Sequence, residues 1–159
     1  GRVSATPTST DTKMPIQKGA SSVACLIIVP NALAAVPMGG AMSMDSATPD
    51  KMAQALEWFN SPVVAAHWGG INCNEEVIKH LCGKDIYFDI SFGYSMMPKY
   101  YAQKIMTLHT PERMLFGTDT PWHTPDMEKR LLSTLDLNAC DIEKITHKNA
   151  QKLLGIADL

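Results

Sequence analysis

The chain has 159 residues, 45% of them hydrophobic, and a formal net charge of −2 from 14 Lys+Arg and 16 Asp+Glu. That length favours one domain with a core of ordinary size, and near neutrality without a basic cluster gives nucleic acid or an anionic membrane no electrostatic footing as a partner. The cysteines Cys25, Cys73, Cys82 and Cys140 form no Cys-x-x-Cys pair, which removes a zinc ribbon or redox motif and suits free thiols in a reducing cytoplasm.

Residues 1–22 are rich in Ser, Thr, Pro and Gly and hold too little apolar surface to offset ordering entropy, so they read as a tail. Val23 to Val29 (VACLIIV) is a continuous apolar run stopped by Pro30, the pattern of a strand buried on both faces. The apolar stretch from Ala24 to Val36 is interrupted by Pro30 and Asn31 and is too short to span a bilayer. After a loop over residues 37–49, Thr48 and Pro49 predict a helix start, with Met52, Leu56 and Phe59 on one face.

From Ser61 the order repeats. Pro62 to Ala66 (PVVAA) predicts a strand ending in His67-Trp68-Gly69-Gly70, followed by a helix over Asn74 to Leu81 with Val77, Ile78 and Leu81 inward. Ile86 to Ile90 (IYFDI) predicts the next strand, running into a Ser-Phe-Gly loop, and Pro98 to His109 the next helix, with Tyr101, Ile105 and Leu108 inward. Met114 to Gly117 (MLFG) predicts a strand ending in Thr118-Asp119-Thr120-Pro121-Trp122. Helices over about Pro125 to Leu135 and Asp141 to Leu154 close the chain, the last one capped by Gly155. Short apolar strands alternating with helices, with no Asn-Gly or Asp-Gly hairpin signal, predict an α/β fold built on a parallel sheet.

Parallel α/β folds carry their sites at the carboxyl ends of the strands. Three such ends hold polar residues: His67, then Asp89 with Ser91, then Asp119. Asp119 follows an apolar strand, where a buried carboxylate needs a partner or a metal; its plain reading is a turn former before Thr-Pro. For His67 the plain reading is a core histidine, and for Asp89 a carboxylate that orients a neighbouring group. Trp68, Phe92, Trp122 and His123 are candidate pocket walls, and His80, His109 and His147 read as solvent-facing or partly buried helix residues.

The segments VVAAHWGG, GKDIYFDISFG, PERMLFGTDTPW and ITHKNAQKLLG, from about Met38 onward, together resemble the closing section of the amidohydrolase-related family. This is its metal-dependent hydrolase and decarboxylase branch, of the aminocarboxymuconate-semialdehyde decarboxylase type. The resemblance implies that residues 23–159 form the C-terminal section of a partial (β/α)8 TIM barrel, about strands five to eight with closing helices. It further implies a divalent metal, zinc, with Asp119 and His67 as metal and catalytic residues, and a small-molecule substrate. The implied reaction is attack of metal-activated water on a C–N, ester or lactone bond, or alternatively decarboxylation of an unsaturated carboxylic acid. A non-catalytic scaffold or half-barrel interaction module is the reading from a different class.

The family's opening His-x-His pair has no counterpart here, no histidine precedes His67, and Pro30 or Asn31 stands where strand five would add a ligand. A full barrel takes about 250 residues. The expectation is therefore an incomplete site: a fragment, a half-barrel completed in a homo-oligomer or by a complementing chain, or a short derivative without catalysis.

Overall fold

The computed structural model describes residues 26–28 and 48–156. The tail expected at 1–22, most of the loop at 37–49, and the Pro30/Asn31 slot lie outside the described residues. Among the described residues four strands form one parallel sheet in the order β1 (Leu26–Ile28), β2 (Val63–Ala65), β3 (Tyr87–Asp89), β4 (Met114–Leu115). The register sets Ile28 beside Ala65, Ala65 beside Phe88, and Asp89 beside Leu115. All three alternations expected from Ser61 onward are present, with each strand two residues shorter than predicted.

Helices connect the strands. Between β1 and β2 lies α1 (Pro49–Ala55), continued by a 3-10 turn over Leu56–Trp58. Thr48 stands at its N-cap and Pro49 at its first turn, although the threonine hydroxyl accepts no helix N–H. Met52 is buried as expected, but the chain turns extended at Phe59, which lies 40% exposed and off the predicted face. The helix α2 (Asn74–His80) buries Val77 and leads to Leu81, both fully buried. A short helix, α3 (Gly93–Met96), occupies the stretch read as a loop.

The face of α4 (Lys99–His109) differs from expectation. Ala102, Ile105, Met106 and His109 are buried, at i, i+3, i+4 and i+7, while Leu108 is 47% exposed. His109 is thus a core residue, 1% exposed, and not a solvent-facing one. Its ring stacks on Phe88 at 4.0 Å, its Nε2 bonds the Ile86 carbonyl at 2.9 Å, and its Nδ1 accepts from the Gly83 N–H.

Thr124 caps α5 (Pro125–Ser133) by accepting from the Met127 N–H, and Asn138 caps α6 (Ala139–Glu143) by accepting from Asp141. A π-turn over Lys144–Lys148 joins α6 to α7 (Asn149–Leu154), so the predicted closing helix begins earlier and carries a bulge. That bulge has a use: the Phe116 N–H, just past β4, bonds the Ile145 carbonyl at 3.0 Å. The Asn149 amide then donates to the carbonyls of Pro111 and Met114, tying α7 to the start of β4. Gly155, in the left-handed region at φ 65°, ends α7 as the sequence indicated.

The core is continuous. Ala65, Val77, Leu81, Ile86, Phe88, Ile90, Ala102, Ile105, Met114 and Ile145 are fully buried. Strands of two or three residues hold because they send side chains into this core: Val63 and Ala65 of β2, Phe88 of β3 and Met114 of β4 are buried. No helix among the described residues is long and apolar enough to cross a membrane, and Cys73, Cys82 and Cys140 are free thiols.

Candidate active site

Because the strands run parallel, the residues that follow β2, β3 and β4 emerge on one rim of the sheet. His67 comes two residues after β2, Ser91 and Phe92 follow β3, and Asp119 comes four residues after β4. The backbone at this rim is unusual. Six non-glycine residues among those described have positive φ, and four of them are His67 (55°), Trp68 (59°), Phe92 (60°) and Asp119 (57°). L-residues visit this region at a cost of roughly 1 kcal/mol or more each, so surrounding contacts must hold them there.

Those contacts are visible. The Trp68 indole Nε1–H donates to the Ile90 carbonyl at 2.8 Å, and the ring is 1% exposed. Trp68 is therefore mostly a core residue that anchors the turn after β2; it reaches the rim only in a small crevice shared with His67, Phe92, Met96 and Met97. Gly93 makes this anchoring feasible, since a Cβ there would meet the indole Nε1 at 2.4 Å.

Beside Trp68, the His67 ring is partly buried and bound at one nitrogen, its Nδ1 lying 3.1 Å from Ser91 Oγ. Ser91 is 2% exposed and donates its hydroxyl to Asp89 Oδ2 at 2.7 Å and its N–H to Asp89 Oδ1 at 2.8 Å. The Asp89 carboxylate in turn lies against Gly117 just beyond β4, where a Cβ would meet Oδ1 at 2.2 Å. Asp89, in the strand, thus plays the orienting part expected of it, and Ser91 is its intermediary.

A second file of side chains continues along the rim. Phe92 meets His67 edge-on at 5.8 Å and stacks on His123 at 4.6 Å. His123 is 4% exposed with Nδ1 against the Glu128 carboxylate, itself fully buried on α5. Enclosed in this way, His123 supports Phe92 and does not project into solvent. Trp122 does, at 71% exposure. Glu128 carries no sequence motif, yet it sits at i with Leu131, Leu132 and Leu135 at i+3, i+4 and i+7, the buried stripe of α5 and of the residues after it.

Asp119 is exposed, which corrects the premise that it is buried after an apolar strand. Its carbonyl accepts from the Trp122 N–H at 3.0 Å, closing a turn that contains the cis peptide bond between Thr120 and Pro121. Thr118 and Thr120 link their hydroxyls across the same turn at 2.8 Å. Among the described residues no side chain bonds the Asp119 carboxylate or His67 Nε2, so both stand open to a ligand or to water. No group of three or more His, Cys, Asp or Glu that could hold a metal exists among the described residues. Two donors fall short of the three or more protein ligands a catalytic metal normally takes, so His67 and Asp119 do not make a metal site by themselves.

The chain is similar in structure to an amidohydrolase 2 from Bifidobacterium longum subsp. infantis (TM-score 0.55, 19% identity, 69% of this chain and 46% of that one). It is also similar to a Pseudomonas putida protein assigned as a 2-pyrone-4,6-dicarboxylic acid hydrolase (TM-score 0.54, 15% identity, 68% and 48%). A third is a dihydroxybenzoic acid decarboxylase from Polaromonas sp. JS666 with bound manganese and the inhibitor 2-nitroresorcinol (TM-score 0.50, 15% identity, 69% and 39%). The chain thus spans less than half the length of these structures, and at such identities the likeness speaks for the fold alone. Among curated proteins no match is found. A family model described as amidohydrolase matches residues 11–156, reaching further upstream than the segments that carry the sequence resemblance. The chain belongs to the amidohydrolase family.

Proposed function

We propose that this chain supplies β1–β4 as strands five to eight of a (β/α)8 barrel enzyme that hydrolyses a C–N, ester or lactone bond of a small carboxylated molecule. The observation that carries the reading is the rim itself: His67 and Asp119 follow strands of one parallel sheet, both on left-handed turns, each with an unengaged ligating atom. Backbone strain of this kind persists where other contacts over-determine it, and it collects at sites that do chemistry. In this reading His67 Nε2 accepts a proton from the attacking water or polarises the substrate carbonyl, and the Asp119 carboxylate carries a proton or serves as one ligand of a divalent cation. Phe92 and Trp122 wall the substrate.

Zinc or manganese would require ligands beyond His67 and Asp119. We assign these to residues outside the described ones, or to a complementing or second copy of the chain. Decarboxylation of an unsaturated acid is the second reading, favoured by the likeness in fold to the manganese-bound dihydroxybenzoic acid decarboxylase. A non-catalytic module is the third, favoured by the short donor set.

The test is turnover by the full-length protein, with manganese or zinc added, of a lactone dicarboxylate and of a dihydroxybenzoate, alongside the Asp119→Asn variant. Hydrolysis or CO2 release that Asp119→Asn abolishes while the fold survives is the expected outcome. Full turnover in Asp119→Asn would remove the role given to that carboxylate.

A further inference from the structure

We infer that Asp89 and Ser91 form a directional relay that fixes His67 as the Nδ1–H tautomer, so that Nε2 faces the rim as a lone pair. The inference deepens the role proposed for His67 and rests on that reading for its functional meaning.

The available hydrogens set the direction of each bond. Asp89 as an anion can only accept. It takes the Ser91 N–H on Oδ1 at 2.8 Å and the Ser91 hydroxyl on Oδ2 at 2.7 Å. A serine hydroxyl has one proton, and that proton is spent on Oδ2. The contact of 3.1 Å between Ser91 Oγ and His67 Nδ1 can then be a hydrogen bond only if Nδ1–H is the donor. Ser91 is 2% exposed, so bulk water does not compete for Oγ. The carboxylate is held in place by the absence of a side chain at Gly117. A neutral imidazole protonated at Nδ1 carries its lone pair at Nε2, the atom that no described residue engages. Asp89 and Ser91 are on this view positioning residues: they touch no substrate but select which nitrogen of His67 is basic.

The relay has a direction that one substitution reverses. In Asp89→Asn the Ser91 N–H keeps the side-chain carbonyl on its own side, which turns the amide NH2 toward Ser91 Oγ. Oγ then accepts from the amide, and its own proton is free to donate to His67 Nδ1. Pairing that proton requires the imidazole to carry its own at Nε2, and the lone pair at the rim then disappears. A merely structural role for Asp89 would not invert a tautomer.

The measurement is two-bond 1H–15N correlation of the histidine rings in the purified full chain, at a pH above imidazole titration. The five histidines are few enough to assign His67 by loss of its signals in His67→Gln. The wild type is expected to show a protonated Nδ1 and an unprotonated Nε2. In Asp89→Asn the two 15N resonances exchange positions, and in Ser91→Ala the Nδ1–H preference is lost. Nε2–H in the wild type, or an unchanged tautomer in either variant, overturns the relay. Should Asp89→Asn fail to fold, the wild-type spectrum and Ser91→Ala still decide. No activity enters this readout: a relay found intact while His67→Gln leaves turnover unchanged would sink the proposed function and leave the relay standing.

Discussion

Replacing His109 by glutamine should flatten the acid side of the stability curve. His109 lies in the core, stacked on Phe88, with its Nε2–H donating to the Ile86 carbonyl and its Nδ1 accepting from the Gly83 N–H. A second proton would have to enter at Nδ1, breaking the Gly83 bond and leaving a charge without bulk solvation. Burial, and secondarily the charge of Arg113, hold the imidazole at about 4 against its ordinary 6.5, the bond to Ile86 opposing them only in part. The folded state therefore prefers the neutral ring. Its contribution is fully present above pH 6.5, where the unfolded chain is also neutral, and is lost as pH falls from 6.5 through 4. At about 1.4 kcal/mol per pH unit, a displacement of this size corresponds to about 3 kcal/mol. The assay is urea unfolding at a series of pH values for wild type and His109→Gln. The wild type should lose about 3 kcal/mol more than the variant across that window, although the variant starts lower because glutamine cannot stack on Phe88. Parallel curves for the two proteins would refute the argument.

Other substitutions probe the same construction. Gly117→Ala would push the Asp89 carboxylate out of its seat and should cost about 1–3 kcal/mol in urea unfolding, with a change in the His67 ring resonances that a remote destabilisation would not produce. Asn149→Ala leaves the Pro111 and Met114 carbonyls without their donor; a loss of about 1–3 kcal/mol and faster amide exchange in α7 are expected, and unchanged exchange would show that the tether is idle. Purified chain, desalted after incubation with zinc or manganese, should retain close to one metal per chain by elemental analysis, as ligands from residues outside those described or from a second copy require. Retention far below that would leave only a complementing chain to complete the site.

Much of the sheet was legible because periodicity reports burial directly. PVVAA and MLFG are continuous apolar runs and IYFDI is broken only by Asp89, and Val63, Ala65, Ile86, Phe88, Ile90 and Met114 from them lie in the core. The Thr48-Pro49 start and the Gly155 stop were legible for the same reason: local chemistry sets them without tertiary help. Polar residues on buried faces were not. His109 invites a reading by residue type and Glu128 belongs to no motif, although each lies on an i, i+3, i+4, i+7 stripe with buried apolar neighbours, a signal stronger than type. Asp119 misled in the opposite sense, since being next to an apolar strand does not make a turn residue buried. The Asp89–Ser91 pair could be noticed from its spacing of two at a strand end; its junction with His67, 24 residues away, depends on strand register that no single sequence displays.

A double-mutant cycle in kcat/KM, on whichever of the lactone dicarboxylate and the dihydroxybenzoate the protein turns over, tests most directly whether His67 and Asp119 work on one reacting group. Residues that act as a unit give strongly non-additive losses. Together, His67→Gln and Asp119→Asn should lower kcat/KM hardly further than the more severe single variant. Losses that simply multiply would show two independent residues and contradict a shared site at this rim.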